Sequence, residues 1–274
     1  MDALLGGVDI RLHLLALLLG MSRLFMLIQT APFMGGTVVT GSVRFAVALS
    51  CYLVLHPMLV GHMALRFPET DLDASALLFL GGLVVKEVFL GMLMGLLAGM
   101  MFWTIQCAGF FIDNQRGAGQ ATEMDPLGGE QTSPTGSFLF QSAVYVFFST
   151  GAFLSFLGLV YASYECWPVE ELLPASLFQG TALPLFFAGK VSALALDMVI
   201  LSGPVVAACL LIDVALGLVN RFASQLNVYI LAMPIKSAVA SLLLIFYFSM
   251  LMSGAASRFS SFGSDMDYLK VLMP

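Results

Sequence analysis

The chain has 274 residues, 59% of them hydrophobic and only 10% charged, with a mean hydropathy of +0.96. Apolar runs on that scale exceed what a soluble core of this size can hide, so the sequence reads as a membrane protein. Its formal charge of -6 is small and scattered, which excludes a basic surface for nucleic acid.

Runs that are apolar almost throughout, such as 12–19 and 242–248, lack the alternation of an outer-membrane barrel strand and point to an all-α bundle of hydrophobic helices. Asp2 and Asp9 precede Arg11, the wrong sign for a secretory leader, and no small-residue cleavage pattern follows, so the first segment is expected to stay attached. Apolar stretches follow at 12–28, 43–60, 74–112, 138–163, 183–219 and 228–252, parted by charged or turn-rich pieces.

The stretch 74–112 is too long for one simple span. As a continuous helix it runs to nearly 60 Å at about 1.5 Å per residue, roughly twice the hydrocarbon thickness, so it must break, tilt or project. Lys86 and Glu87 lie inside it, and Lys190 and Asp197 lie inside the stretch 183–219. Charges at that depth are expected to face protein, a cavity or water rather than lipid. Gly91, Gly95 and Gly99 recur every four residues, about 40° apart per step, and offer one face for close helix packing.

From the end of the fifth stretch onward, Asp213, Gly217, Asn220, Ser224 and Asn227 fall within about 40° of one line if the helix is continuous. Such a polar stripe calls for polar partners, either in the same chain or across a subunit seam. Orientation stays open, because the loops 113–137 and 165–180 are both acidic yet bound the same candidate span.

Catalytic and cofactor signals are absent from the sequence. Gly189-Lys190 lacks the rest of a phosphate-binding loop, and His13, His56 and His62 lack metal-ligand spacing. Cys51, Cys107, Cys166 and Cys209 are far apart and read as packing residues rather than as a disulfide framework. Asp197 and Asp213 could mimic an aspartyl dyad only if Pro204 broke their helix, since about 160° of rotation separates them. No enzyme, no metal and no cofactor are expected.

The polar segment Asp113–Ser137 interrupts all this. It carries glycines at 117, 119, 128, 129 and 136, prolines at 126 and 134, and acids at Glu123, Asp125 and Glu130. A connection of about 25 residues is longer than most inside compact bundles, and such loops tend to be functional or disordered.

Three separated motifs, DNQRG at 113–117, DPLGGEQTSP at 125–134 and RFASQLNVYILAMPIK at 221–236, occur in order among the apolar stretches. With them the chain resembles the SctT/FliR family, the T subunit of the type III secretion export apparatus, and its injectisome members more than its flagellar ones. The resemblance covers essentially the whole chain. It implies a bacterial inner-membrane protein of the secretion basal body, present once in a helical hetero-oligomeric gate of kinked hairpins.

It further implies direct R and S subunit partners, a nearby U switch protein and V export gate, and unfolded protein substrates in transit. An R-like part over 1–180 and an S-like part over 181–274 are implied, with a C-terminal tail at 254–274. The resemblance also makes 113–137 a channel plug, with Asp113, Asn114, Gln115, Arg116, Gly117, Gly119, Gln120, Glu123, Asp125, Pro126, Gly128, Gly129, Glu130 and Gln131 as its residues.

A conduit for polypeptide leaks ions when idle unless something movable closes it, which is the physical case for such a loop. Met92, Met94, Met100 and Met101 precede it; soft side chains suit a gate, but core filling is the favoured reading. The leading alternative is a secondary transporter with Lys86, Glu87, Asp197 and Asp213 around a midplane site.

Overall fold

A computed structural model describes residues 10–35, 40–66, 74–117, 133–172, 180–223, 228–259 and 261–272. Every regular element among them is helical: α1 Ile10–Thr30, α2 Gly41–Arg66, α3 Ala74–Arg116, α4 Pro134–Ser149, α5 Ala152–Cys166, α6 Ala182–Phe222, α7 Val228–Phe259 and α8 Ser261–Leu272, with a short 3-10 turn at Pro32–Met34. Five helical segments are long and apolar enough to cross a membrane, and the broken pair α4 and α5 brings the total to six at most.

Two compact units interleave along the sequence. One comprises Met1–Gly99, Leu154–Leu183 and Phe262–Pro274, and the other Met100–Phe153 and Pro184–Ser261.

Helix α3 does not break. Its 43 residues run unbroken for about 65 Å, well beyond the roughly 30 Å of a hydrocarbon core. The expected single stretch 138–163 does break, at Thr150-Gly151, where Gly151 takes a φ of 74° that a side chain would oppose. Hydropathy averaged along the run missed this turn, because the triplet Ser149-Thr150-Gly151 is a brief interruption between long apolar runs. Residues 254–274, expected as a tail, are helical over most of their length, and Phe262, Met266 and Leu269 on α8 are buried.

The first unit is organised around Arg23, which is fully buried on α1. Its Nε and one terminal nitrogen bind the two oxygens of Glu87 at 2.6 and 2.9 Å. The remaining donors reach the Ser163 carbonyl and hydroxyl at 2.8 and 3.0 Å and the Trp167 carbonyl at 2.8 Å. All five guanidinium hydrogens are thereby used. The neighbouring Lys86 ammonium lies 2.6 Å from Glu87 and donates to the carbonyls of Pro168 and Glu171 at 2.6 and 2.9 Å.

Two cations thus sit at the C-terminal end of α5, bonded to the carbonyls of Ser163, Trp167, Pro168 and Glu171, which suits the negative end of the helix dipole. The ring of Tyr164 lies under the guanidinium at 4.1 Å, and its hydroxyl donates to the Gly20 carbonyl at 2.7 Å.

Close approach makes this geometry possible. A Cβ on Gly91 would collide with the Arg23 carbonyl, and one on Gly95 with the Thr30 side chain, so α3 lies against α1 where the cluster forms; Gly99 is also buried. The α1–α2 hairpin is closed by Arg44 donating to Gln29 at 2.9 Å and by the chain Tyr52–His56–His13, with contacts of 2.6 and 2.9 Å. His62 instead faces Glu170 at 3.7 Å.

Arg23→Met leaves Glu87 with only Lys86 beside it and takes the guanidinium donor from the Trp167 carbonyl just past the end of α5. Removing one partner of a buried pair costs about 3–5 kcal/mol, so the variant is expected to unfold at markedly lower temperature in detergent than the native chain. A thermal shift within error of native would contradict this role.

Candidate functional site at the base of the polar segment

All contacts that follow belong to the second unit. The irregular part of the polar segment is shorter than its composition suggested, because Asp113–Arg116 continue α3 and Pro134 already opens α4. Nothing in DNQR opposes helix, and the break comes at Gly117, whose φ of 83° and N–H to the Asn114 carbonyl at 3.1 Å form a glycine C-terminal stop. Re-entry is equally local. Ser133 caps α4 by accepting the Gly136 N–H at 2.9 Å, and Pro134 occupies the first turn, where no N–H is required.

Asp113 joins the two ends. One carboxylate oxygen accepts the Ser133 hydroxyl at 2.5 Å and the Thr135 N–H at 2.9 Å, while Arg116 approaches the other oxygen at 2.7 Å. Arg116 also donates to the Thr135 hydroxyl at 3.2 Å. A negative charge at the start of α4 and a positive one at the end of α3 each suit the adjoining dipole. One turn below, α3 and α4 touch backbone to backbone, since a Cβ on Gly109 would lie 2.6 Å from the Gly136 Cα.

The third motif reaches the same place. On α7, Lys236 lies 2.5 Å from Asp213 of α6 and donates to the Gln115 carbonyl at 3.4 Å, while Met233 packs over Gly117. The motifs 113–117, 125–134 and 221–236 therefore converge, through those of their members that are described, on one polar cluster. An apolar cleft of about 530 Å³ opens beside it, lined by Arg116, Thr135, Phe138, Leu244 and Phe248 among others. Ile112, Val205, Cys209 and Ala240 form a small buried core in the same unit.

Of the residues singled out in the sequence, Asp113, Asn114, Gln115, Arg116 and Gly117 are in this cluster or at its edge. Gly119, Gln120, Glu123, Asp125, Pro126, Gly128, Gly129, Glu130 and Gln131 lie outside the described residues, as do Ser224 and Asn227. Since α6 ends at Phe222, the helical stripe reaches no further than Asp213, Gly217 and Asn220. Asp213 meets Lys236 within the chain, whereas Gly217 and Asn220 are exposed.

Lys190 lies near the Phe186 ring, at 5.5 Å, and Asp197 forms a two-pronged ion pair with Arg258. Lys86 and Glu87 belong to the Arg23 cluster of the first unit. Among the described residues no group of three or more His, Cys, Asp or Glu side chains could hold a metal. Sequence reasoning passed over Arg23 and gave Lys236 no role. The signal for Arg23 was present, as the one charge inside the apolar run 12–28.

The profile of "Bacterial export proteins, family 1" matches residues 14–262. The chain is 40% identical over 231 residues to the Yop proteins translocation protein T of Yersinia pestis, covering 84% of this chain and 83% of that one. It is 32% identical over 245 residues to the surface presentation of antigens protein SpaR of Salmonella typhimurium, covering 88% and 86%. Against the flagellar biosynthetic protein FliR of Bacillus subtilis the identity is 33% over 193 residues, covering 70% and 72%.

These matches and the apolar helices define a multi-pass membrane protein of bacterial export. The chain belongs to bacterial export proteins, family 1, the SctT/FliR family of type III secretion that its three motifs resemble.

Two substitutions test the cluster. Ser133→Ala removes both the cap of α4 and a ligand of Asp113, and loss of a cap costs about 1 kcal/mol, so a modest fall in unfolding temperature is expected. Gly109→Val forces backbones apart and is expected to lower the unfolding temperature more than Ser133→Ala does. The reverse order would contradict the close approach of α3 and α4.

Proposed function

We propose that this chain is a structural and gating subunit of the type III export gate in the bacterial inner membrane, within the basal body. The polar segment from Asp113 to Ser137 plugs the channel for unfolded polypeptide, and the helices that carry it line that channel. The observation that carries this reading is the convergence of three family motifs on the base of the segment. A long connection whose two ends are tied by a buried carboxylate is held at its root.

Direct partners are the R and S subunits, with the U switch protein and the V export gate nearby, and a single copy of this chain joins them. Residues 1–180 form the R-like part and 181–274 the S-like part. Gly91, Gly95, Gly99, Gly217 and Asn220 contribute packing between helices or subunits. The chain is not an enzyme, and other components supply the energy of export.

The transporter reading has less support, because each of its four ionisable residues has a partner inside the chain: Lys86 with Glu87, Asp197 with Arg258 and Asp213 with Lys236. A transporter is also expected to purify alone or with its own copies, and a gate subunit with unlike chains.

Shortening 117–131 in the assembled complex is expected to raise ion leak across a planar bilayer while partners still copurify. Native leak from an intact assembly would rule out the plug.

A further inference from the structure

Lys236 serves two helices at once. Its ammonium is 2.5 Å from Asp213 on α6 and 3.4 Å from the Gln115 carbonyl in the last turn of α3. The carbonyls of that turn lack partners within the helix, and a cation beside them also suits the dipole. One turn earlier on the same face of α7, Met233 packs over Gly117, the residue that ends α3. Two side chains of α7 therefore grip the last turn of α3, and α6 holds one of them by charge.

Two features make this grip releasable. Pro234, between the two gripping residues, lacks the N–H that would bond the Ile230 carbonyl, so α7 has a weak point there. The Lys236 side chain is 14% exposed but Asp213 is 40% exposed, and a half-open pair separates at less cost than a sealed one. By contrast, Asp113, Ser133 and Thr135 are buried together and form the fixed part of the base.

We propose that Lys236 is a positioning residue that couples the α6–α7 hairpin to the end of α3 and so sets where the polar segment departs. The proposal rests on the plug reading and adds how the plug is held and released. A change in the hairpin that draws Lys236 off the Gln115 carbonyl frees the departure point, while the Asp113 clasp keeps the two ends joined.

The test uses the complex with its copurifying partners in planar bilayers, comparing Lys236→Met, Lys236→Arg and the exchange Asp213→Lys with Lys236→Asp. Lys236→Met is expected to raise idle leak several-fold with assembly intact, and Lys236→Arg to stay near native. The exchange restores an ion pair but sets a carboxylate against the Gln115 carbonyl, so it is expected to remain leaky.

Native leak from Lys236→Met, or a sealed exchange variant, overturns the proposal, the latter reducing Lys236 to a clip within the hairpin. Should Lys236→Met fail to assemble, Met233→Ala keeps both charges and opens the packing over Gly117. It carries the same expectation, and native leak from it overturns the proposal equally. Leak from the shortened segment but not from these variants defeats this inference alone. Native leak from the shortened segment defeats the plug reading beneath it.

Discussion

Charge survives in these apolar helices by being paired inside the chain, and that requirement organises both units. Arg23 and Lys86 share Glu87 in one, while Asp113 with Arg116, Asp213 with Lys236 and Asp197 with Arg258 recur in the other. An ionised group with no partner is far more costly in a low-dielectric setting than in water. The positions of these few residues therefore constrain how the helices carrying them meet, where apolar contacts alone would allow sliding.

The two units use the constraint differently. Around Arg23 every guanidinium hydrogen is bonded, the side chain is fully buried and small residues on α3 admit the neighbouring backbone. That site is a fixed joint. At the base of the polar segment the bonds fall into a buried part, Asp113 with Ser133 and Thr135, and a partly exposed part, Lys236 with Asp213. In the proposed plug, the buried part is the fixed hold on the two ends and the partly exposed ion pair is the part that gives.

Much of the architecture was legible in the sequence. Apolar runs marked the helices, but the polar segment was drawn at 113–137, whereas helix continues to Arg116 and resumes at Pro134. The break at Gly151 escaped notice because the triplet Ser149-Thr150-Gly151 is too short to interrupt the averaged hydropathy of the run. The pairing of charges was not legible either: Arg23 and Glu87 are 64 residues apart, and Lys236 and the Gln115 carbonyl are 121 apart. Sequence marked Lys86, Glu87, Asp197 and Asp213 as charges in need of partners but passed over Arg23 and Lys236, and only the fold assigned the pairs. The convergence of three motifs likewise depends on α7 returning alongside the end of α3.

In the proposed gate, the segment rooted at Asp113 stands in the path of exported polypeptide. That placement is tested most directly by a photo-crosslinking residue at Gln120 in the assembled secretion complex carrying a stalled substrate. A crosslink from position 120 to the substrate is expected, and one to other gate subunits when substrate is absent. Labelling of position 120 by a membrane-impermeant reagent from bulk solvent, with no crosslink to substrate, would contradict it.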